Sequence, residues 1–201
     1  MIKNIIFDIG NTLLAFDELA YLGKKFKDPE IIKTLQATIF WSEEWRLLDK
    51  NVLSEEAVIT IFGERQPNLK KEIREVVGDW FNSLAPMEAS IQLLKTLREK
   101  AYRIYFLSNF YEKAFKYMLV KYPFLEGADG YLISYQVKLI KPEKEIYEAL
   151  LAKFNLKAEE CLFLDDLEEN LEAGRKLGIK GINIKNLTEI REFLTKASAQ
   201  E

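Results

Sequence analysis

The sequence predicts an α/β fold in which a parallel five-stranded sheet carries helices on both faces and a helical insertion follows the first strand. Three observations lead there. Five short apolar runs alternate with longer stretches of helical periodicity, the signature of strand–helix–strand units in a parallel sheet. Three of those runs end in residues able to do chemistry: Asp8, Ser108 and the pair Asp165-Asp166. Between Ala15 and Ala85 lies no convincing strand but several amphipathic helices.

Asn4-Ile5-Ile6-Phe7 is the first run, with Gly10 and Asn11 as turn residues beyond Asp8. In the insertion, helices are expected over Pro29–Phe40, Ser42–Leu48, Ser54–Phe62 and Lys70–Phe81. Ser42 and Ser54 each precede Glu-Glu, which suits a hydroxyl N-cap with acids in the first turn. Ala89–Lys100 follows, with Ile91, Leu94 and Leu97 on one stripe and Pro86 just ahead of it. Arg103–Leu107 forms the second run, closed by Ser108-Asn109, and Gly130–Ile133 the third. The helix Glu143–Phe154 presents Ile146, Leu150 and Leu151 on one face, and Pro142 at its entrance gives up an amide hydrogen that a first turn does not need. Cys161–Leu164 is the fourth run, Asn170–Leu177 a helix, Gly181–Ile184 the fifth run and Leu187–Leu194 the last helix. Lys196–Glu201 reads as a loose tail. Right-handed crossovers should join the strands.

Composition narrows the chemistry. Apolar residues make up 48% of the 201-residue chain, enough for a substantial core, and the formal net charge is −3. That charge supplies no long-range attraction to DNA or an anionic membrane, so nucleic-acid and membrane partners are not expected. Met1–Ile9 shows no signal-peptide pattern, and no stretch approaches the ~18 apolar residues of a membrane span. A single cysteine, Cys161, forbids an intramolecular disulfide; it reads as a small buried hydrophobe and fits a reducing cytoplasm. Zero histidines remove the Ser-His-Asp and Cys-His devices and every histidine-ligated zinc or iron site. Carboxylates, lysines, hydroxyls, amides and a hard cation remain.

In open parallel sheets ligands bind at the carboxyl ends of the strands, where Asp8, Ser108 and Asp165-Asp166 are expected, with Lys141 ahead of a helix in the same half of the chain. Phe7-Asp8-Ile9-Gly10-Asn11-Thr12-Leu13, Leu107-Ser108-Asn109, Lys141-Pro142 and Leu164-Asp165-Asp166-Leu167-Glu168-Glu169-Asn170 resemble, in order and separation, the four motifs of the haloacid dehalogenase-like hydrolases. The likeness covers residues 2 to 195. Its form is that of the helical-cap branch holding sugar-phosphate phosphatases and the amino-terminal phosphatase domain of soluble epoxide hydrolases. The resemblance implies a Rossmann-like core domain over residues 1–14 and 86–201, and a helical cap domain over 15–85. The strand carrying Asp8 should lie between those carrying Ser108 and Asp166.

The same resemblance implies a magnesium-dependent phosphatase acting on a small phosphorylated metabolite, with a sugar phosphate as one candidate. Asp8 would be the nucleophile that forms an aspartyl-phosphate. Asp8, the Gly10 carbonyl and Asp166 would hold Mg2+, which prefers oxygen ligands. Ser108 and the amide of Asn109 would bind phosphate oxygens at the start of the following helix. Lys141 would set an ammonium against the nucleophile and the transferring group. Thr12, Asp165 and Asn170 are supporting candidates. Asp165 either orients the metal shell or caps the helix holding Asn170, and Thr12 either serves the motif or closes the turn.

One position departs from the family's usual pattern, although some phosphatases of the helical-cap branch that this chain resembles also carry Asp-x-Gly-Asn there. Family phosphatases usually carry a second aspartate two residues after the nucleophile as general acid and base, a role worth about 10²–10⁴-fold, and here that residue is Gly10. Asp17 on the same loop is a possible substitute. The loss admits a rival reading, a phosphate- and magnesium-binding regulatory module with weakened turnover. A second rival, a 2-haloacid dehalogenase, is disfavoured by Asp165-Asp166, which argue for a cation. A phospho-accepting receiver domain is disfavoured because its paired acids precede the phosphorylated Asp. Tyr21, Trp41, Trp45 and Arg46 are candidates for substrate contact.

Overall fold

A computed structural model describes residues 1–198. Strand β1 (Asn4–Phe7) is buried along its whole length because it is the middle strand of a five-stranded sheet. Its parallel neighbours are β4 (Arg103–Ser108) and β6 (Cys161–Asp165), with β5 (Gly130–Ile133) outside the first and β7 (Lys180–Asn183) outside the second. The strand ending at Asp8 thus lies between those ending at Ser108 and Asp165, as expected. Alternate residues on each strand face opposite sides. Ile5, Phe7, Ile104, Phe106, Leu162 and Leu164 enter one apolar core, while Ile6, Tyr105, Leu107, Cys161 and Phe163 enter a second. A sheet buried on both faces explains strands that read as continuous apolar runs.

The insertion comprises α1 (Glu18–Lys25), α2 (Pro29–Ile39), α3 (Glu43–Asp49), α4 (Glu55–Arg65) and α5 (Lys70–Asp79), followed by a short 3-10 turn at Trp80–Ser83. Ser42 and Ser54 do cap α3 and α4, accepting from the amides of Trp45 and Ala57, each at 3.2 Å. An antiparallel pair absent from the sequence reading, β2 (Leu14–Ala15) with β3 (Ala85–Pro86), closes the insertion at its base. Two residues per strand are too few to show a periodicity.

Beyond β3 come α6 (Glu88–Glu99), α7 (Glu112–Lys121), α8 (Ser134–Val137), α9 (Lys144–Lys153), α10 (Glu168–Arg175) and α11 (Leu187–Ser198). Two expectations need correcting, and three helices are additional to those expected. Pro142 is not at a helix entrance: Glu143 is the N-cap of α9, and the Lys141–Pro142 peptide is cis. Helices α1, α7 and α8 were not delimited in advance. The tail begins later than expected, since α11 continues through Lys196 to Ser198, while Ala199–Glu201 lie outside the described residues. Cys161 is buried, and burial pushes its thiol up. No helix among the described residues is long and apolar enough to cross a membrane.

Candidate active site

Register builds the site. Phe7 pairs with Phe106 on one side and Leu164 on the other, so the three neighbouring strands end nearly level. The Asp8 amide continues the ladder by donating to the Leu164 carbonyl at 2.9 Å. Side chains leaving these strand ends therefore converge at one edge.

Asp8 Oδ1 accepts three bonds: from the Ile9 amide at 2.7 Å, from Ser108 Oγ at 2.6 Å and from Lys141 Nζ at 2.8 Å. Its Oδ2 carries none of them. Burial pushes the Asp8 carboxyl up to about 6, with Asp165 adding to the rise and Lys141 and Ser108 opposing it. Lys141 lies between two carboxylates, with Nζ 2.7 Å from Asp165 Oδ2, and over the face of Phe163 at 5.4 Å from the ring centre. Burial alone would lower its ammonium; Asp8 and Asp165 outweigh that and raise it, so it stays charged.

Asp165 is fully enclosed. Besides Lys141 it accepts from the Leu167 amide at 2.8 Å and from Asn170 Nδ2 at 3.1 Å on both oxygens. It therefore does not cap the helix carrying Asn170: α10 has Leu167 as its N-cap residue, without a side-chain cap. Asp165 and Asn170 form a bracket that holds Lys141 against Asp8. Asp166 is half-buried, and burial followed by the adjoining Asp165 raises its carboxyl. Lys185 Nζ stands 3.7 Å from Asp166 Oδ2, a neighbour the sequence reading missed.

Asp8, Asp165 and Asp166 each offer a carboxylate oxygen within 4.8 Å of the others. This all-oxygen, strongly acidic donor set suits a hard divalent cation such as magnesium. With the oxygens of Asp165 already bonded, Asp8 and Asp166 have the spare capacity.

Asn109 grips the backbone of Lys141 from both sides: its Oδ1 accepts from the Lys141 amide at 2.9 Å, and its Nδ2 donates to the Lys141 carbonyl at 3.1 Å. Helix α7 starts only at Glu112 with Tyr111 as N-cap, so Ser108 and Asn109 precede the helix rather than forming its first turn. Thr12 is fully buried, and its Oγ1 has no partner among the described residues. Asp17 caps α1 by accepting from the Ala20 amide at 2.9 Å.

Beside Gly10 and Asn109 lies a cavity of about 140 Å³. Its walls are largely aromatic: Phe16, Phe40, Trp45, Trp80 and Phe110. Trp80 stacks on Phe110 with centroids 6.0 Å apart and meets Trp45 edge-on at 5.6 Å. Of the four candidates for substrate contact, Trp45 lines this cavity. Trp41 is exposed, Tyr21 is buried and donates to Asp79, and the half-exposed Arg46 pairs with Glu43 at 3.6 Å. Sequence reasoning missed Asp49, which also lines the cavity. A signal was present: Trp45, Leu48 and Asp49 are spaced i, i+3, i+4 and share one helix face, so an acid stood among apolar neighbours. A wider cleft of about 460 Å³, bordered by Asn11, Asp17, Met87, Asp166 and Lys185, shares Asn11, Phe16 and Glu18 with this cavity.

A family model described as hydrolase, haloacid dehalogenase-like hydrolase, matches residues 2–178. D-ribitol-5-phosphate phosphatase from Bacteroides thetaiotaomicron is 26% identical over 210 residues, covering 97% of this chain and 98% of that protein. A sesquiterpene phosphatase from Aspergillus oryzae is 24% identical over 182 residues, 90% of this chain and 89% of that one. Among solved structures, a HAD family enzyme of Bacteroides thetaiotaomicron in complex with magnesium and inorganic phosphate superposes with a TM-score of 0.71. It is 25% identical and covers 91% of this chain and 94% of its own.

Proposed function

Because this chain belongs to the haloacid dehalogenase-like hydrolases, we propose that it is a magnesium-dependent phosphatase of small phosphomonoesters that works through an aspartyl-phosphate on Asp8. One observation carries the reading: a nucleophile, an ammonium, a hydroxyl donor and a second carboxylate meet at one sheet edge. Asp8 Oδ1 is held by Ser108 and Lys141, and Asp166 lies within the same 4.8 Å group.

The roles follow from the chemistry of each group. Asp8, held in place on one oxygen, attacks phosphorus, and the phosphoryl group passes to its carboxylate. Ser108 Oγ and Lys141 Nζ turn from Asp8 toward the phosphate oxygens as charge gathers there, a stabilisation already paid for in the fold. The amide of Asn109 adds a donor, while its side chain keeps Lys141 in register. Asp165 and Asn170 hold the ammonium; Thr12 supports the turn carrying Gly10. Asp8, the Gly10 carbonyl and Asp166 would hold magnesium, which when bound offsets the repulsion between a dianionic phosphate and these carboxylates.

We read residues 1–14 and 86–201 as the core domain and 15–85 as a cap domain that contributes the aromatic wall. A cytoplasmic setting and a small phosphorylated metabolite as partner belong to the same reading. The phosphate ester of a sugar is one candidate substrate, in keeping with the ribitol-phosphate phosphatase relative. The five aromatic residues around the 140 Å³ cavity favour a second candidate, a phosphate ester of a compact apolar alcohol.

A phosphate-release panel over sugar, nucleotide, aryl and prenyl phosphates, with magnesium or with a chelator, tests these points together. Release that needs magnesium and disappears in Asp8→Asn is expected. No release above the Asp8→Asn background would favour the regulatory-module reading instead, and activity that survives chelation would remove the cation from the mechanism.

A further inference from the structure

Gly10 leaves the strand-one loop without a group to protonate the leaving alcohol, and Asp17 is engaged as the cap of α1. In the cavity beside it, the last residue of α3 supplies a carboxyl group. Asp49 lines the same 140 Å³ space as Gly10 and Asn109. It is 8% exposed, and its Oδ1 has no hydrogen-bond partner among the described residues. A buried carboxyl oxygen without a partner is costly and suggests a ligand atom that the fold awaits.

Its placement is tied to the core. The Asp49 carbonyl accepts from Ser134 Oγ at 2.7 Å, and that same hydroxyl accepts from the Phe110 amide at 3.0 Å. The next residue, Lys50, pairs with Glu143 ahead of α9. The end of α3 is thus anchored to the loop that follows Ser108 and to the segment that follows Lys141. A Cβ on Gly10 would find only Phe110, at 3.6 Å, so the space beside the nucleophile loop is open to a group from elsewhere on the cavity lining.

We propose that Asp49 is the general acid and base of the reaction, supplied from the helical insertion in place of the residue that Gly10 lacks. This rests on the phosphatase reading above. In the first step an Asp8 oxygen forms a bond to phosphorus as the bond from phosphorus to the ester oxygen breaks. The departing oxygen keeps that electron pair and takes the proton of Asp49, leaving Asp49 as carboxylate. In the second step a water oxygen bonds to phosphorus, Asp49 takes a water proton, and the bond from phosphorus to Asp8 breaks with its pair returning to the Asp8 carboxylate. Phosphate and alcohol leave, and Asp49 is protonated again.

The protonation state suits the task. Burial pushes the Asp49 carboxyl up to about 7, partly offset by the Tyr111 backbone amide, and a group poised near the working pH is the effective proton carrier. The titratable groups around it are Glu18 on the lining of the same cavity and Tyr111 beside it, with Lys50 engaged by Glu143.

The test is Asp49→Asn, a nearly isosteric change, assayed with an alkyl phosphate and with p-nitrophenyl phosphate. Loss of a general acid should lower kcat for the alkyl ester by about 10²–10⁴-fold. p-Nitrophenolate leaves without a proton, so a stoichiometric burst should survive, followed by slow turnover as the phosphoenzyme waits for a base. That burst also reports an intact site. Gly10→Asp placed in the Asp49→Asn background should restore much of the alkyl-ester rate. Wild-type activity with an Asp49→Asn variant of equal kcat on the alkyl ester would overturn this role and leave the phosphatase reading standing. A wild type no better than Asp8→Asn on every ester would bring down both.

Discussion

Replacing Lys141 with Met tests the electrostatic design of the site most directly. The side chain is buried, and its ammonium lies 2.8 Å from Asp8 and 2.7 Å from Asp165. Methionine keeps most of the volume but leaves two buried carboxylates facing each other without a counter-charge. Breaking a buried ion pair from one side costs about 3–5 kcal/mol, a large part of the ~5–15 kcal/mol that holds a typical domain folded. A chain of 201 residues loses roughly 2–4 °C of Tm per kcal/mol, so the metal-free variant should melt roughly 6–20 °C below the parent. The loss should depend on pH. Asp8 already has its folded value raised from 3.8 to about 6, so its cost is absent below 3.8, grows as pH rises through that window and is complete above it. Without the ammonium that value climbs further, so the deficit should be larger at neutral pH than in mild acid. Magnesium should recover part of the lost Tm, because the variant presents three carboxylates with only Lys185, 3.7 Å from Asp166, as a neighbouring cation among the described residues, and a ligand that binds the folded state stabilises it. Thermal melts followed by circular dichroism, across pH and with and without magnesium, read all of this. A metal-free Tm within about 3 °C of the parent at neutral pH, against the several kcal/mol expected, would refute the ion-pair reasoning.

Gly10→Asp in the parent background should fold normally, because the new Cβ meets only the Phe110 ring, at 3.6 Å, and the glycine is not in the left-handed region; a loss of unfolding free energy beyond about 1 kcal/mol would show that the space is not there. Gly130→Ala should cost about 1–3 kcal/mol, since its Cβ would fall 2.3 Å from Phe154 Cε1 and drive the ring aside; an unchanged denaturation midpoint would contradict that packing. Trp45→Ala removes one wall of the cavity and should shift preference toward bulkier alcohols, read as a higher ratio of kcat/KM for a branched over a short-chain phosphate ester; a fixed ratio would take Trp45 out of substrate selection.

How much of the site was legible depended on where each residue sits relative to a repeating pattern. Asp8, Ser108 and Asp165 each close an apolar run, so strand periodicity marked their position, and pairing of level strand ends brought them together. Lys141 follows no strand, and only its likeness to a motif singled it out. Asp165 was foreseen as a supporting residue but not as the fully enclosed bracket around an ammonium, because sequence spacing does not say which neighbouring carboxylate turns inward. Asp49 and the aromatic wall were harder still. Phe16, Phe40, Trp45 and Trp80 are far from Asn109 and Phe110 in the chain, and their meeting depends on how α1–α3 lean against the loop after β4.

Taken alone, the sequence determined the α/β class, the strand segments and the acidic character of the sheet edge, because hydrophobic periodicity and strand-end chemistry are local properties written in consecutive residues. Absence of histidine likewise restricted the chemistry to oxygen and ammonium groups before any fold was known. Tertiary structure alone decided which oxygen of Asp8 is held, that Asn109 grips the backbone of Lys141, and that Asp49 of the insertion and Gly10 line one cavity. Those are contacts between segments tens of residues apart, set by how helices pack on a sheet rather than by any repeat along the chain.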